Sequence, residues 1–401
     1  MSWITCSLND VLVKTENINP ANEPNRLFQY VDVSSVSKEK LQIIEPQSIL
    51  GIEAPSRARK VINTNDILFA TVRPTLRRVA LVPCHLNNEV CSTGYFVLRS
   101  NGKVLPKFIF YYLLRNEFME QMEKLQTGAS YPAVTDNQVK QQIISFPLLS
   151  TQQKIVTKLD AIFAEIDKAM AAAEANAKNA EALFQSYLTE FINKLVKKNK
   201  LISLKNICKF ENGDRGKNYP SKQHQVESGI PFINAGDLKE GWSISRNGMA
   251  YITEERFNML GAGKVKIGDL LFCLRGSLGK CGIVEDIHKG AIASSLVIIR
   301  PIPNLSISKF LYWFLSSSIC NGYINAAKGG AAQPNLSAKS VMDFQIPIID
   351  TKYQIEVSNQ IDIFYAHTLT VKESYFNKIE KLTLLKQSIL KQAFSGELVK
   401  E

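Results

Sequence analysis

Apolar residues run along this chain in two rhythms. Short apolar blocks bounded by Gly, Pro, Asn or Asp fall at residues 67–72, 79–83, 95–99, 269–274, 282–284 and 295–300, a pattern that predicts strands. Residues 107–115 and 309–316 predict short helices. Elsewhere the rhythm changes. Residues 148–212 and 348–395 contain no Gly or Pro, and breaker-free stretches of that length are what long helices require. In the first, apolar or small residues recur three and four apart at Leu159, Ile162, Ile166, Ala169, Ala173, Ala180, Leu183, Tyr187 and Phe191, with Asn176 in the missing place. That is the narrow seam of a coiled coil. The second carries a wider, less regular stripe: Ile361, Phe364, Thr368, Val371, Tyr375, Ile379, Leu382, Leu385 and Ile389. Alanines in one seam admit large side chains from the other, so the two helices are expected to pair.

The parts around these helices form one repeat. Asn65-Asp66-Ile67-Leu68-Phe69 matches Gly268-Asp269-Leu270-Leu271-Phe272, with Arg73 near Arg275. Val97-Leu98-Arg99 matches Ile298-Ile299-Arg300, and Lys107-Phe108-Ile109 matches Lys309-Phe310-Leu311, with Tyr111 close to Tyr312. Gly128-Ala129-Ser130-Tyr131-Pro132 matches Gly330-Ala331-Ala332-Gln333-Pro334, Phe146-Pro147 matches Ile346-Pro347, and Asp160 matches Asp362. Ordered matches at a near-constant offset mark a tandem duplication. The expected fold class is α+β: a mixed α/β globular domain followed by a long helix, twice over, the two helices packing as an antiparallel coiled coil. The divisions fall at residues 1–150 and 201–347 for the globular domains, and 151–200 and 348–401 for the helices.

Composition narrows the function. The chain has 401 residues, 45% of them hydrophobic, and a formal net charge of +11. Residues 1–150 carry sixteen basic and thirteen acidic side chains, and residues 201–347 carry seventeen and eleven. The excess therefore sits mostly in the globular segments, which favours a polyanionic partner, nucleic acid first. Seven scattered cysteines and four histidines form no metal-binding cluster, so reduced thiols are expected and no metal. The start lacks a basic region followed by an apolar core, and no apolar run approaches the roughly 20 residues of a bilayer span. The expectation is a cytoplasmic protein with no membrane partner.

Catalytic patterns are missing. Gly279-Lys280 is followed by Cys281, with Leu274 where a phosphate-binding loop needs its first glycine. The Asn/Asp-Pro-Pro-aromatic motif of N-methylation is absent, as are a Ser-His-Asp set and H-E-x-x-H. The globular segments instead offer basic residues near strands: Arg57, Arg59 and Lys60 before one, Arg73, Arg77 and Arg78 after the next, and Arg275 and Lys280 in a glycine-containing loop of the second half. Arg215 and Lys217 flank Gly216 in another. Arginine can bond guanine with two donors, glutamine or asparagine can do so with adenine, and lysine mostly finds phosphates. No catalytic residue is assigned.

The arrangement resembles the specificity subunit of type I restriction–modification enzymes along the whole chain. The most specific pieces are Gly330-Ala331-Ala332-Gln333-Pro334-Asn335-Leu336-Ser337 with the downstream Ile346-Pro347, and the terminal Ile389-Leu390-Lys391-Gln392-Ala393-Phe394-Ser395-Gly396-Glu397-Leu398. The first half carries Thr127-Gly128-Ala129-Ser130-Tyr131-Pro132-Ala133-Val134, then Phe146-Pro147-Leu148 and Gln152-Gln153-Lys154-Ile155-Val156. The resemblance implies two target-recognition domains that each read half of a bipartite double-stranded DNA site. It also implies helices that dock two methyltransferase subunits for adenine N6 methylation, and motor-nuclease subunits in the restricting complex. S-adenosylmethionine, ATP and Mg would then belong to those partners, and this chain would hold no cofactor. Ser130, Tyr131, Gln333 and Asn335 become candidate DNA contacts. Tyr131 stands where the second half has Gln333, so the halves would read different sequences. Leu159, Ile162, Ile166, Leu183 and Phe191, with Ile361, Phe364, Ile379, Leu382, Leu385 and Ile389, become the helix-pairing or partner-docking set. A methylation-only or domain-swapping system is the neighbouring alternative. A coiled-coil adaptor for RNA or protein is the alternative of another class, and a nuclease with a cryptic site is disfavoured.

Overall fold

The computed structural model describes residues 3–329 and 335–399. The chain divides into two compact units, residues 1–173 with 377–401, and residues 174–376. The long helices are therefore not bodies of their own: each is shared, half to a unit.

Both units repeat one plan. In the first, strands run in the order Leu12–Val13, Tyr95–Ser100, Ile67–Ala70, Val79–Leu81, and a second sheet runs Gln47–Leu50, Leu27–Val31, Glu89–Ser92, Ala58–Ile62. The second unit gives Cys208–Asn212, Leu296–Pro301, Leu270–Cys273, Cys281–Ile283, and then Gln225–Val226, Ala250–Ile252, Ile230–Ile233, Ala291–Ile292. In each second sheet one neighbouring pair is parallel, Leu27–Val31 with Glu89–Ser92 and Ile230–Ile233 with Ala291–Ile292. None of the strands of these second sheets was in the sequence expectation, because each is only two to five residues long and gives too little pattern to read.

Alternation explains why the first sheets read as continuous apolar runs. Ile67 and Phe69 face a cluster with Phe108 and Leu113, while Leu68 and Ala70 face one with Val31 and Tyr95. Leu270 and Phe272 split from Leu271 and Cys273 in the same way. A strand covered on both faces needs apolar residues at every position. The helices Pro106–Leu113 and Ser308–Leu315 cover one face, each followed by another helix, Asn116–Leu125 and Ser318–Ala327, that the sequence pattern did not predict.

A buried ion pair recurs at the turn before each strand. Asp66, only 2% exposed, accepts Arg99 Nε at 2.9 Å and Nη2 at 2.8 Å; Asp269, 1% exposed, accepts Arg300 through the same two atoms, both at 2.7 Å. A buried glutamine locks each domain to the helix that follows it. Gln152 takes the Leu105 N–H and donates to Pro147 O; Gln354 takes the Ile307 N–H and donates to Ile349 O.

The central helix, Leu149–Lys198, and the C-terminal helix, Thr351–Ser395, are each unbroken. At 1.5 Å per residue they are about 75 and 67 Å long. Within the first unit they pair antiparallel: Lys386 bonds Asp167, and Lys158 Nζ reaches Leu398 O at 2.8 Å. Within the second, Lys372 Nζ meets Glu181 at 2.6 Å and the Tyr187 and Phe364 rings stack at 4.4 Å. Leu159, Ile162, Ile166, Ile389 and Leu382 belong to the first unit's core cluster, and Phe191, Ile361 and Phe364 to the second's. Ile379 is half-buried.

The seam needs correction at several places. Leu183 is 62% exposed, Leu385 46% and Val371 43%, while Ala177, Phe184, Leu188 and Ile192 are buried. After Ala173 the buried stripe moves one residue on from the expected seam, so Asn176 faces solvent and Ala177 takes its place. The shift falls where the helix passes from the first unit into the second, whose own core cluster takes Phe184, Leu188 and Ile192.

Among the described residues no helix is long and apolar enough to cross a membrane, and no group of three or more His, Cys, Asp or Glu is placed to hold a metal ion. The seven cysteines are unpaired thiols. Burial pushes those of Cys208 and Cys320 up to about 12, which keeps them protonated and unreactive.

Candidate nucleic-acid interface

In the first unit the strand Ile67–Ala70 runs into a loop whose backbone is tied down from two sides. The Thr71 N–H donates to Gly94 O at 2.9 Å, the Arg73 N–H to Pro132 O at 2.7 Å, and the Val134 N–H to Thr71 O at 2.9 Å. Residues 127–133 close their own loop: Thr127 and Ala133 exchange two backbone hydrogen bonds, both 2.9 Å. Ser130 and Tyr131 sit at its tip, and Tyr131 is 70% exposed. The Arg73 guanidinium lies 4.9 Å from the Tyr131 ring centroid and its Nη2 donates to Ser130 O at 3.2 Å. Arg73, Ser130 and Tyr131, distant in sequence, thus form one exposed group.

The second unit builds the same surface. The Leu274 N–H donates to Ser295 O at 2.8 Å and the Leu336 N–H to Leu274 O at 2.9 Å, while Gly329 and Asn335 exchange backbone bonds of 3.0 and 2.9 Å. Arg275 is exposed and bridges to Asn335. Gln333 lies outside the described residues. Arg215, also exposed, donates through Nη2 to Ser294 O at 3.3 Å, which brings its loop alongside Leu274 and Arg275. That loop is pinned by Asp214, whose carboxylate accepts the Gly216 N–H at 2.7 Å and the Gly261 N–H at 2.9 Å. These bonds hold its carboxyl below the ordinary range. Lys217 is exposed and Lys280 half-buried.

The hydrogen bonds also correct the register of the repeat. Leu274 is the counterpart of Thr71, so Arg275 answers to Val72, and Arg73 answers to Gly276. Both members of that pair are left-handed, at φ +50 and +80. Arg77 and Gly279 are likewise left-handed, at φ +54 and +79. Similarly, Tyr111 and Trp313 are counterparts, since the Tyr111 hydroxyl donates to Asp160 and Trp313 Nε1 to Asp362.

Several sequence candidates turn inward. Lys60 Nζ donates to Tyr95 O at 2.6 Å and to Asp136 at 2.7 Å. Arg77 reaches Leu114 O and Asn116 Oδ1, and its burial lowers its pKa. Arg78 Nη1 donates to the carbonyls of Val33, Ser34 and Val36. These three cations are tied to carbonyls, an amide and a carboxylate of their own unit. Arg59 is half-buried and bonds Ala58 O, whereas Arg57 is exposed and its carbonyl accepts the Thr93 N–H, next to Gly94. The turns Thr93-Gly94 and Ser294-Ser295, which support both loop groups, were not singled out in the sequence. No residue type or spacing marks a turn that acts only through its backbone.

Two stretches of the chain, residues 6–174 and 196–381, match the family described as Type I restriction modification DNA specificity domain. The chain belongs to that family. The EcoKI specificity subunit of Escherichia coli strain K12 is 25% identical over 334 residues, covering 78% of this chain and 70% of that protein. Among solved structures, a chain from work on complex assembly and conformational transition of the type I R-M system superposes with a TM-score of 0.83 at 27% identity, covering 99% of this chain and 98% of that one. The HsdS subunit from Thermoanaerobacter tengcongensis gives 0.58 at 27% identity, over 99% and 97%. The two family matches coincide with the two copies of the loop surface, so each DNA specificity domain carries one.

Proposed function

We propose that this chain is the sequence-reading, non-catalytic subunit of a type I restriction–modification complex. Each unit reads half of a bipartite double-stranded DNA site. The observation that carries this reading is the duplicated surface: a strand-end loop, a backbone-closed motif loop and a supporting turn, with exposed arginines at Arg57 and Arg73 in one unit and Arg215 and Arg275 in the other. Arginines presented on tied-down backbone lose little freedom on binding, which favours base contact over loose phosphate attraction. Lys217 and Lys280 suit phosphates, which position without specifying. The paired helices would dock two methyltransferase subunits that bring S-adenosylmethionine. Motor-nuclease subunits bringing ATP and Mg would complete a restricting complex.

Genome-wide mapping of N6-methyladenine in the host, with and without this gene, tests the reading. Loss of a single two-part motif on deletion is the expected result. An unchanged map, although the chain co-purifies with an active methyltransferase, would overturn it. Binding of that complex to the mapped site should also weaken steeply with salt, as phosphate contacts require.

A further inference from the structure

Arg73 occupies a backbone conformation suited to glycine. Its counterpart in the second unit is Gly276, left-handed too and with open space where a side chain would begin. Arg77, the other left-handed arginine of the loop, is accounted for by the carbonyl and amide it ties together. Arg73 is not. Its side chain is exposed, and among the described residues its guanidinium makes one hydrogen bond, Nη2 to Ser130 O. Strain retained for a side chain that stabilises little inside the domain points to a role outside it.

The geometry indicates what that role is. A guanidinium has two edges able to give paired, parallel hydrogen bonds, Nε with Nη2 and Nη1 with Nη2. The bond to Ser130 uses one hydrogen of Nη2 and therefore one edge; the other is left whole. The Tyr131 ring, 4.9 Å from the guanidinium carbon, restrains the side chain that carries that free edge, and the left-handed backbone, held by Pro132 O, fixes where the side chain starts. In the DNA major groove guanine alone offers two adjacent acceptors, N7 and O6, matching such an edge. We infer that Arg73, oriented by Tyr131, reads one guanine in the half-site of the first unit, a contact that its counterpart Gly276 has no side chain to make. This inference rests on the DNA-recognition function proposed above.

The test uses the complex of this chain with its methyltransferase and duplexes carrying the mapped site, with each guanine replaced in turn by 7-deazaguanine, which lacks N7. At one guanine of one half-site the replacement should weaken wild-type binding about tenfold or more. Arg73→Ala should show the same loss on the normal duplex and no further loss on the modified one. Arg73→Lys should keep the charge yet lose the discrimination, Tyr131→Ala should blunt it, and Tyr131→Phe should preserve it. Uniform weakening by Arg73→Ala, with every 7-deazaguanine effect retained, would make Arg73 a phosphate contact and overturn the inference while leaving the recognition function standing. A wild-type complex that prefers no sequence would overturn the function itself.

Discussion

Replacing Arg99 by Ala isolates one element of the first unit. Its Nε and Nη2 are paired with a carboxylate that is 2% exposed and otherwise accepts only the Asn63 N–H, at 2.8 Å, among the described residues. Removing the arginine leaves a buried charge nearly uncompensated, which typically costs 3–5 kcal/mol; since the Arg99 side chain is 20% exposed, water relieves part of this, and about 3 kcal/mol is expected. Asp66 sits at the turn opening the strand Ile67–Ala70, so the loss falls on the strand that presents Arg73. Amide hydrogen exchange followed by mass spectrometry is the appropriate assay because it resolves the two units. Protection of Ile67–Ala70 should drop by about 150-fold, the equivalent of 3 kcal/mol, while Leu270–Cys273 in the other unit keeps its own. The double variant Asp66→Asn with Arg99→Leu, which leaves no charge behind, should lose less than Arg99→Ala alone. A change under tenfold, or a double variant as damaged as the sum of its parts, would refute the account of a buried, mutually dependent pair.

Three further outcomes are expected. Arg78→Ala removes donation to three carbonyls and should lower stability by about 2 kcal/mol without altering the recognised DNA sequence, checked by denaturation and methylation mapping. Gly279→Ala places a methyl 2.5 Å from Ile324 Cδ1 in a left-handed residue and should cost about 2 kcal/mol or more, whereas Gly276→Ala meets nothing and should cost about 1 kcal/mol, by the same denaturation measurement. Asp214 has a depressed folded-state pKa, so its stabilisation of the Gly216 and Gly261 amides is present above the ordinary carboxylate pKa and lost as pH falls through the folded value. Amide exchange of those two residues, corrected for its intrinsic pH dependence, should lose protection in acid in the wild type and already be fast at neutral pH in Asp214→Ala.

The duplication and both long helices were legible because they rest on patterns repeated over tens of residues. What failed is local or carried by distant partners. Arg73 and Arg275 are close in the letters, but the offset between the strands Ile67–Ala70 and Leu270–Cys273 runs on unchanged through the loop and sets Arg73 opposite Gly276; the residue the second loop lacks falls after that point, before Gly279. Lys60, Arg77 and Arg78 read as free cations because their acceptors lie 35 to 76 positions away. The helix seam held until Ala173 and then drifted, since no spacing rule says which face a neighbouring domain will cover. Of the site, the motif loop and the arginines were visible, but not their convergence.

The first unit is assembled from pieces made far apart in time. Its core holds Ile389, Leu390, Ala393 and Leu398 beside Leu8, Phe108 and Leu159, whereas the second unit is one uninterrupted stretch of chain. During synthesis the domain translated first is therefore the last to close. Its half of the central helix must wait on the ribosome, without Ile389, Leu390 and Ala393 to complete its core, until more than two hundred further residues have been added. For that interval the nascent chain presents a greasy stripe to chaperones and to sister chains on the same message.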